Sequence, residues 1–166
     1  RYDIRGLELV NTLLASDEPA YLKELAKNAA ANEVKILLIM IDGQGDIGSP
    51  NEVARATAVK NHQHWIDIAH DFGCHSIRMN WKGAKDNVFL DPAALKDFTD
   101  RSVPGFRALA DYGDKKNVNV IVENHGGASS HIAPLVGLMK AVDHPRFGTL
   151  PDFDNFPPDV DRYEAI

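Results

Sequence analysis

The feature that most constrains this chain is a regular alternation of short apolar runs with helical patterns along its 166 residues. Ile4 to Val10 reads as a strand, with Asn11 and Thr12 at its end. Ser16-Asp17-Glu18-Pro19 supplies helix-start chemistry, and Leu22, Leu25, Ala26 and Ala29 then recur at helical spacing to about Asn32. Val34 to Ile41 is an apolar run suited to a strand buried on both faces. Ser49-Pro50-Asn51-Glu52 reads as a capping box, with Ser49 at N-cap, Pro50 at N1 and Glu52 at N3. The helix it opens carries Ala58, His62, Trp65, Ala69 and Phe72 on one stripe, and Gly73 is placed to stop it. His75 to Asn80 is the next strand, with Ile77 and Met79 on one face and Ser76, Arg78 and Asn80 on the other. Asp91-Pro92 starts a helix with Leu95, Phe98, Phe106 and Leu109 apolar, which Pro104-Gly105 is expected to kink or interrupt. Val118 to Glu123 is a strand, Ser129 or Ser130 is expected to cap a helix to about Val142, and Phe147 to Asp152 reads as the last strand.

Strand and helix in strict alternation mean an α/β fold with a parallel sheet and right-handed crossovers. Two architectures fit: an open doubly wound sheet, or five consecutive strands of a (β/α)8 barrel. A complete barrel takes ~250 residues, so on the second reading the chain is an incomplete segment. The sequence opens at Arg1-Tyr2-Asp3 without a Met, which agrees with that expectation. One partial domain over 1–166 is expected.

Composition narrows the function classes. A net charge of -6 with dispersed acids argues against a surface that tracks nucleic-acid phosphates, which needs a basic stripe. Cys74 is the only cysteine, so no internal disulfide forms; a cytoplasmic, reducing location is expected. There is no run of 18 apolar residues and no signal peptide is expected, so no membrane partner is expected. A homo-oligomer is compatible with the sequence.

Several local patterns invite chemistry. Gly43-Gln44-Gly45-Asp46-Ile47-Gly48 matches G-x-G-x-x-G after a strand. However, Asp46 within the turn would repel a pyrophosphate, and the next strand ends at Asn80-Trp81 with no acid for a ribose. A glycine-rich turn is the better reading. His62 lies on an apolar stripe and is better read as a satisfied boundary histidine. Ser129-Ser130-His131 lacks a nucleophile elbow.

The most chemically loaded stretch is Val118-Asn119-Val120-Ile121-Val122-Glu123-Asn124-His125-Gly126-Gly127. Its valines share one face, and the other face ends in Glu123. A carboxylate at the end of a buried strand is costly unless something cationic meets it, and ligands bind at that end of strands in α/β folds. Asp152 ends the following strand, so two carboxylates come side by side at one rim. A hard divalent cation would relieve their repulsion. The plain alternative is that each pairs with an Arg or Lys, Arg78 being one candidate. Spacing leaves both open.

These residues are also familiar. Val-Ile-Val-Glu-Asn-His-Gly-Gly at 120–127, followed by Gly-Thr-Leu-Pro-Asp-Phe-Asp-Asn-Phe at 148–156, resembles the sugar phosphate isomerase/epimerase family of the xylose isomerase-like TIM-barrel superfamily. Gly6-Leu7-Glu8-Leu9-Val10-Asn11, the run from Leu37 to Gly43 and the run from Gly73 to Asn80 support it. The resemblance implies barrel strands two to six and a metal-dependent isomerase or epimerase acting on a ketose or related open-chain sugar. It implies that Glu123 is both the proton-transferring residue and a ligand, with Asp152, of Mn²⁺, Mg²⁺, Co²⁺ or Zn²⁺. Arg78, Asn80, His125, Asn155 and Glu8 are implied to contact substrate. Asn155 stands where relatives commonly have His, and Asp154 is a rival ligand. The family's remaining ligands, a His and a Glu, come from strands seven and eight, so the segment alone is expected to be inactive. A non-catalytic sugar- or partner-binding barrel is the alternative; an abasic-site endonuclease would need a more basic surface.

Overall fold

A computed structural model of the chain describes residues 3–163; Arg1 and Tyr2, at which the sequence opens, lie outside them. Its elements run β1 (Gly6–Val10), α1 (Pro19–Ala31), β2 (Lys35–Met40), α2 (Glu52–Phe72), β3 (Ser76–Met79), α3 (Pro92–Lys116), β4 (Asn119–Glu123), α4 (Ile132–Val142) and β5 (Phe147–Leu150). All neighbouring strands are parallel, in the order β1-β2-β3-β4-β5. An open doubly wound sheet reverses direction at a switch point. Here every crossover advances one strand the same way, so right-handed crossovers put every helix on one face. That is the topology of an incomplete (β/α)8 barrel.

The helix-facing side of the strands holds the core. Ile39, Ile77, Val120 and Val122 are fully buried there, against α2 and α3 residues such as Ala58, Ile66, Phe106 and Leu109. On the other side, strand register arranges side chains in tiers. Glu8, Leu38, Ser76 and Asn119 form one tier. Val10, Met40, Arg78, Ile121 and Gly148 form the next, and Glu123 with Leu150 the one nearest the C-terminal rim.

Some local expectations need correction. The N-cap of α2 is Asn51, whose side chain accepts from the Ala54 N–H at 3.0 Å, and not Ser49. The preceding loop is pinned elsewhere: Gly48 N–H donates to the Lys82 carbonyl at 3.0 Å, and Gly83 packs so closely on Gly48 that a Cβ there would lie 2.3 Å from its carbonyl carbon. The chain therefore turns helical only after Pro50. The α3 helix is not interrupted at Pro104. Phe98, Ser102, Phe106, Leu109 and Gly113 keep one buried stripe in phase across the proline, so packing outweighs the one lost backbone bond. At Gly105, a Cβ would stand 2.9 Å from Ile47 Cγ2, so the glycine admits the helix to the core. Neither Ser129 nor Ser130 caps α4, whose first flanking residue is His131. Both serines lie in a 3-10 turn (Gly127–Ser130) and bond back to the loop behind Glu123. Among the described residues, no helix is long and apolar enough to cross a membrane.

Candidate active site

The C-terminal rim gathers a polar network around Glu123. β4 carries its first four residues into the sheet and leaves Glu123 at the last paired position, opposite Leu150. The side chain is buried, with 6% exposure. Its Oε2 stands 2.7 Å from Arg78 Nε. The N–H is not aligned on that oxygen, so the contact is an ion pair and both atoms lack a hydrogen bond. Arg78 Nη1 donates to Asp42 Oδ1 at 2.9 Å, and Asn80 Nδ2 donates to the same oxygen at 2.8 Å. Burial pushes the Asp42 carboxyl up, but the Arg78 hydrogen bond and charge, with Asn80 and His125, outweigh it and hold the group below the usual carboxylate range.

On the other side, Asn155 Nδ2 lies 3.1 Å from Glu123 Oε1, 3.1 Å from Asp152 Oδ2 and 3.2 Å from His125 Nδ1. Two amide hydrogens serve two of these three acceptors at a time. His125 Nδ1 is 3.5 Å from Glu123 Oε1. Two serine hydroxyls hold the loop that presents His125: Ser129 Oγ accepts from its N–H at 3.1 Å, and Ser130 Oγ accepts from Gly126 N–H at 2.8 Å. Gly126 and Gly127 adopt φ values of 82° and 57°, which glycine reaches without strain.

Arg78, Asn80, Glu123, His125, Asp152 and Asn155 are thus brought into one connected network. Glu8 is not. It is exposed on β1, in the tier of Asn119, four residues before Glu123. At ~3.3 Å per residue and ~4.8 Å per strand, that is more than ~15 Å away. Asp154 turns its carboxylate to Arg162 Nη1, 3.3 Å off, while its N–H caps Asp152 Oδ1 at 2.8 Å. His62 is a buried histidine whose Nδ1 lies 2.7 Å from the Ala58 carbonyl. Burial, the largest influence, pushes its pKa down despite that bond and the charge of Asp46.

The divalent cation expected from the resemblance is not supported by this donor set. Among the described residues no three His, Cys, Asp or Glu side chains gather into a metal-holding group. The positive charge that Glu123 requires is supplied by Arg78, so the ion-pair alternative describes this carboxylate.

Three participants escaped the sequence reading. Asp42 lies two residues past β2 as Asp152 lies two past β5, and that parallel was the available signal. Asn11 and Asn124, each directly after a strand, are buried at 7% and 1% exposure. Nothing in their residue type marks them.

Residues 1–160 match the family described as xylose isomerase-like TIM barrel. No curated protein matches the sequence. Among solved structures, a D-tagatose 3-epimerase-like protein is similar at 16% identity with a TM-score of 0.76, over 90% of this chain and 57% of that one. A D-psicose 3-epimerase, solved in the presence of D-fructose, is 17% identical with a TM-score of 0.76, over 94% and 56%. A 3-keto-D-glucoside 4-epimerase from E. coli is 14% identical with a TM-score of 0.74, over 88% and 59%. The chain spans between half and three fifths of the length of these structures, and identities this low speak to the fold alone.

Proposed function

The chain belongs to the xylose isomerase-like TIM-barrel family, and on that premise we propose that the protein is a carbohydrate isomerase or epimerase that moves a proton at a carbon beside a sugar carbonyl. In this reading residues 1–166 form one partial barrel domain, and its ligand is an open-chain ketose or close relative. The observation that carries the reading is Glu123: a buried carboxylate at the C-terminal end of a parallel strand, approached at each oxygen by a different polar partner. A carboxylate so placed, with a guanidinium beside one oxygen and an amide at the other, suits a general base. Glu123 takes the proton from the substrate carbon and returns it. Asn155 donates to Oε1 and Arg78 places its charge beside Oε2, and His125, half-exposed and 3.5 Å from Oε1, meets the sugar hydroxyls together with Asn80. The epimerases of similar fold support the substrate class.

The test is solvent exchange. The protein, produced at the full length of its gene, is incubated in heavy water with a panel of ketoses beginning with D-fructose, and deuterium at the carbon beside the carbonyl is followed by NMR. Deuterium enters the sugar with wild type, and Glu123→Gln slows entry by roughly 10²- to 10⁴-fold. Isomerised sugar without deuterium would replace proton transfer by a hydride shift. The neutralisation of the Glu123 charge by Arg78 favours one second reading, a non-catalytic sugar-binding barrel. Retention of a ketose without turnover by both proteins would establish that instead.

A further inference from the structure

Two asparagines at equivalent places make the same unusual contact. Asn11 directly follows β1; its Oδ1 accepts from the Asp42 N–H at 2.8 Å and its Nδ2 donates to the Asp42 carbonyl at 2.9 Å. Asn124 directly follows β4; its Oδ1 accepts from the Asp152 N–H at 2.6 Å and its Nδ2 donates to the Asp152 carbonyl at 2.8 Å. In each case a side-chain amide continues the ladder past the end of the strands and grips both the N–H and the carbonyl of the carboxylate residue two positions beyond the next strand. An amide is the one short side chain with a donor and an acceptor side by side. Buried backbone groups left open at a strand end cost free energy, but water or a turn could satisfy them. A two-point grip on a single residue does more: it fixes that residue's Cα and hence where its carboxylate stands.

Each gripped aspartate then leads to Glu123. Asp42 holds Arg78 Nη1, and Arg78 Nε meets Oε2. Asp152 holds Asn155 Nδ2, which meets Oε1. We propose that Asn11 and Asn124 are positioning residues that orient Glu123 from opposite sides, through Asp42–Arg78 and through Asp152–Asn155. The link to catalysis rests on the reading of Glu123 as the base; the positioning itself does not. A carboxylate tied at one oxygen swings about the tied point, whereas one tied at both has a single orientation, which proton abstraction from carbon requires.

The experiment makes Asn11→Ala and Asn124→Ala, with the isosteric Asn11→Asp and Asn124→Asp in reserve should either alanine variant not fold. An aspartate keeps the acceptor and loses the donor. Amide hydrogen exchange should quicken roughly tenfold at Asp42 in the first variant only and at Asp152 in the second only. The Glu123 carboxyl carbon resonance should move in both. In the ketose exchange assay each variant should lose roughly 10- to 100-fold in kcat with KM little changed, and neither should lower the residual rate of Glu123→Gln further. Unchanged protection at Asp42 and Asp152, an unmoved Glu123 resonance, or losses that persist in full in the Glu123→Gln background would each overturn the proposal. If wild type exchanges no ketose proton, the functional reading falls, and the two NMR measurements still decide the positioning.

Discussion

Arg78 is the residue on which the electrostatics of the rim depend. Its side chain is 6% exposed and lies between Glu123, also buried, and the more open Asp42. Removing one partner of a buried pair strands the other charge, whereas removing both lets apolar groups fill the space. Arg78→Met should therefore cost about 3–5 kcal/mol of stability in urea unfolding, and Arg78→Met/Glu123→Leu should recover most of it. A double variant no more stable than the single one would mean that the arginine acts through packing. Asp42 and His62 each carry a signed pH dependence. The folded Asp42 carboxyl lies below its ordinary value of 3.8, so its contribution is fully present above that value and fades as pH falls through the folded one. His62 lies below its ordinary value of 6.5. The unfolded chain takes up that proton first, so stability declines as pH falls below 6.5, and the decline continues until the folded histidine also titrates. His62→Leu should flatten that part of the stability profile relative to wild type, measured by urea midpoints across mildly acid buffers; an identical slope would assign it to other groups.

At the scale of elements, contact distances decide what propensity cannot. Gly113 lies on the buried face of α3, where helix propensity favours Ala by about 1 kcal/mol. A Cβ there would stand 2.3 Å from the Val118 carbonyl oxygen, a backbone atom that cannot step aside without moving β4. Overpacking costs typically about 1–3 kcal/mol, so Gly113→Ala should lower the melting temperature despite its better propensity. A variant at least as stable as wild type would mean that β4 yields. The same distinction explains which elements were readable from sequence. Runs such as Ile36 to Ile41 and the stripe from Ala58 to Phe72 announce themselves because burial imposes a period. Caps and interruptions do not, because they depend on neighbours distant in sequence. Ser49 and Asn51 are both good cap types, and the anchoring of the loop at Lys82 and Gly83 decided between them. Pro104 signals a break that the continuous stripe around it overrides. Ser129 and Ser130 look like caps because capping and loop-bracing use the same hydroxyl.

At the scale of the whole molecule, the site was legible where it obeys a rule about sheets and illegible where it depends on pairing. Carboxylates past the ends of parallel strands pointed to Glu123 and Asp152, and the same rule reached Asp42 only once its place past β2 was fixed. Whether cation or metal meets a carboxylate is a matter of side-chain reach, and only coordinates could choose Arg78. The sheet has a further consequence. Among the described residues β1 pairs only with β2 and β5 only with β4, so both outer strands present unpaired backbone groups. Leu7 on β1 and Thr149 on β5 are exposed, and the register shift between Leu7 and Glu8 lies within the β1–β2 ladder. Open edges of this kind invite strand addition. The 1–166 polypeptide prepared alone should therefore associate as its concentration rises in sedimentation velocity runs, and Leu7→Lys with Thr149→Lys should shift it toward monomer, because a lysine on an edge charges the approaching surface. Leu7 lies three strands from Glu123, and Thr149, the register partner of Val122, faces the opposite side of the sheet from Glu123, so Leu7→Lys made alone tests association apart from the rim. A wild-type polypeptide that stays monomeric throughout would show that the outer strands do not act as open edges.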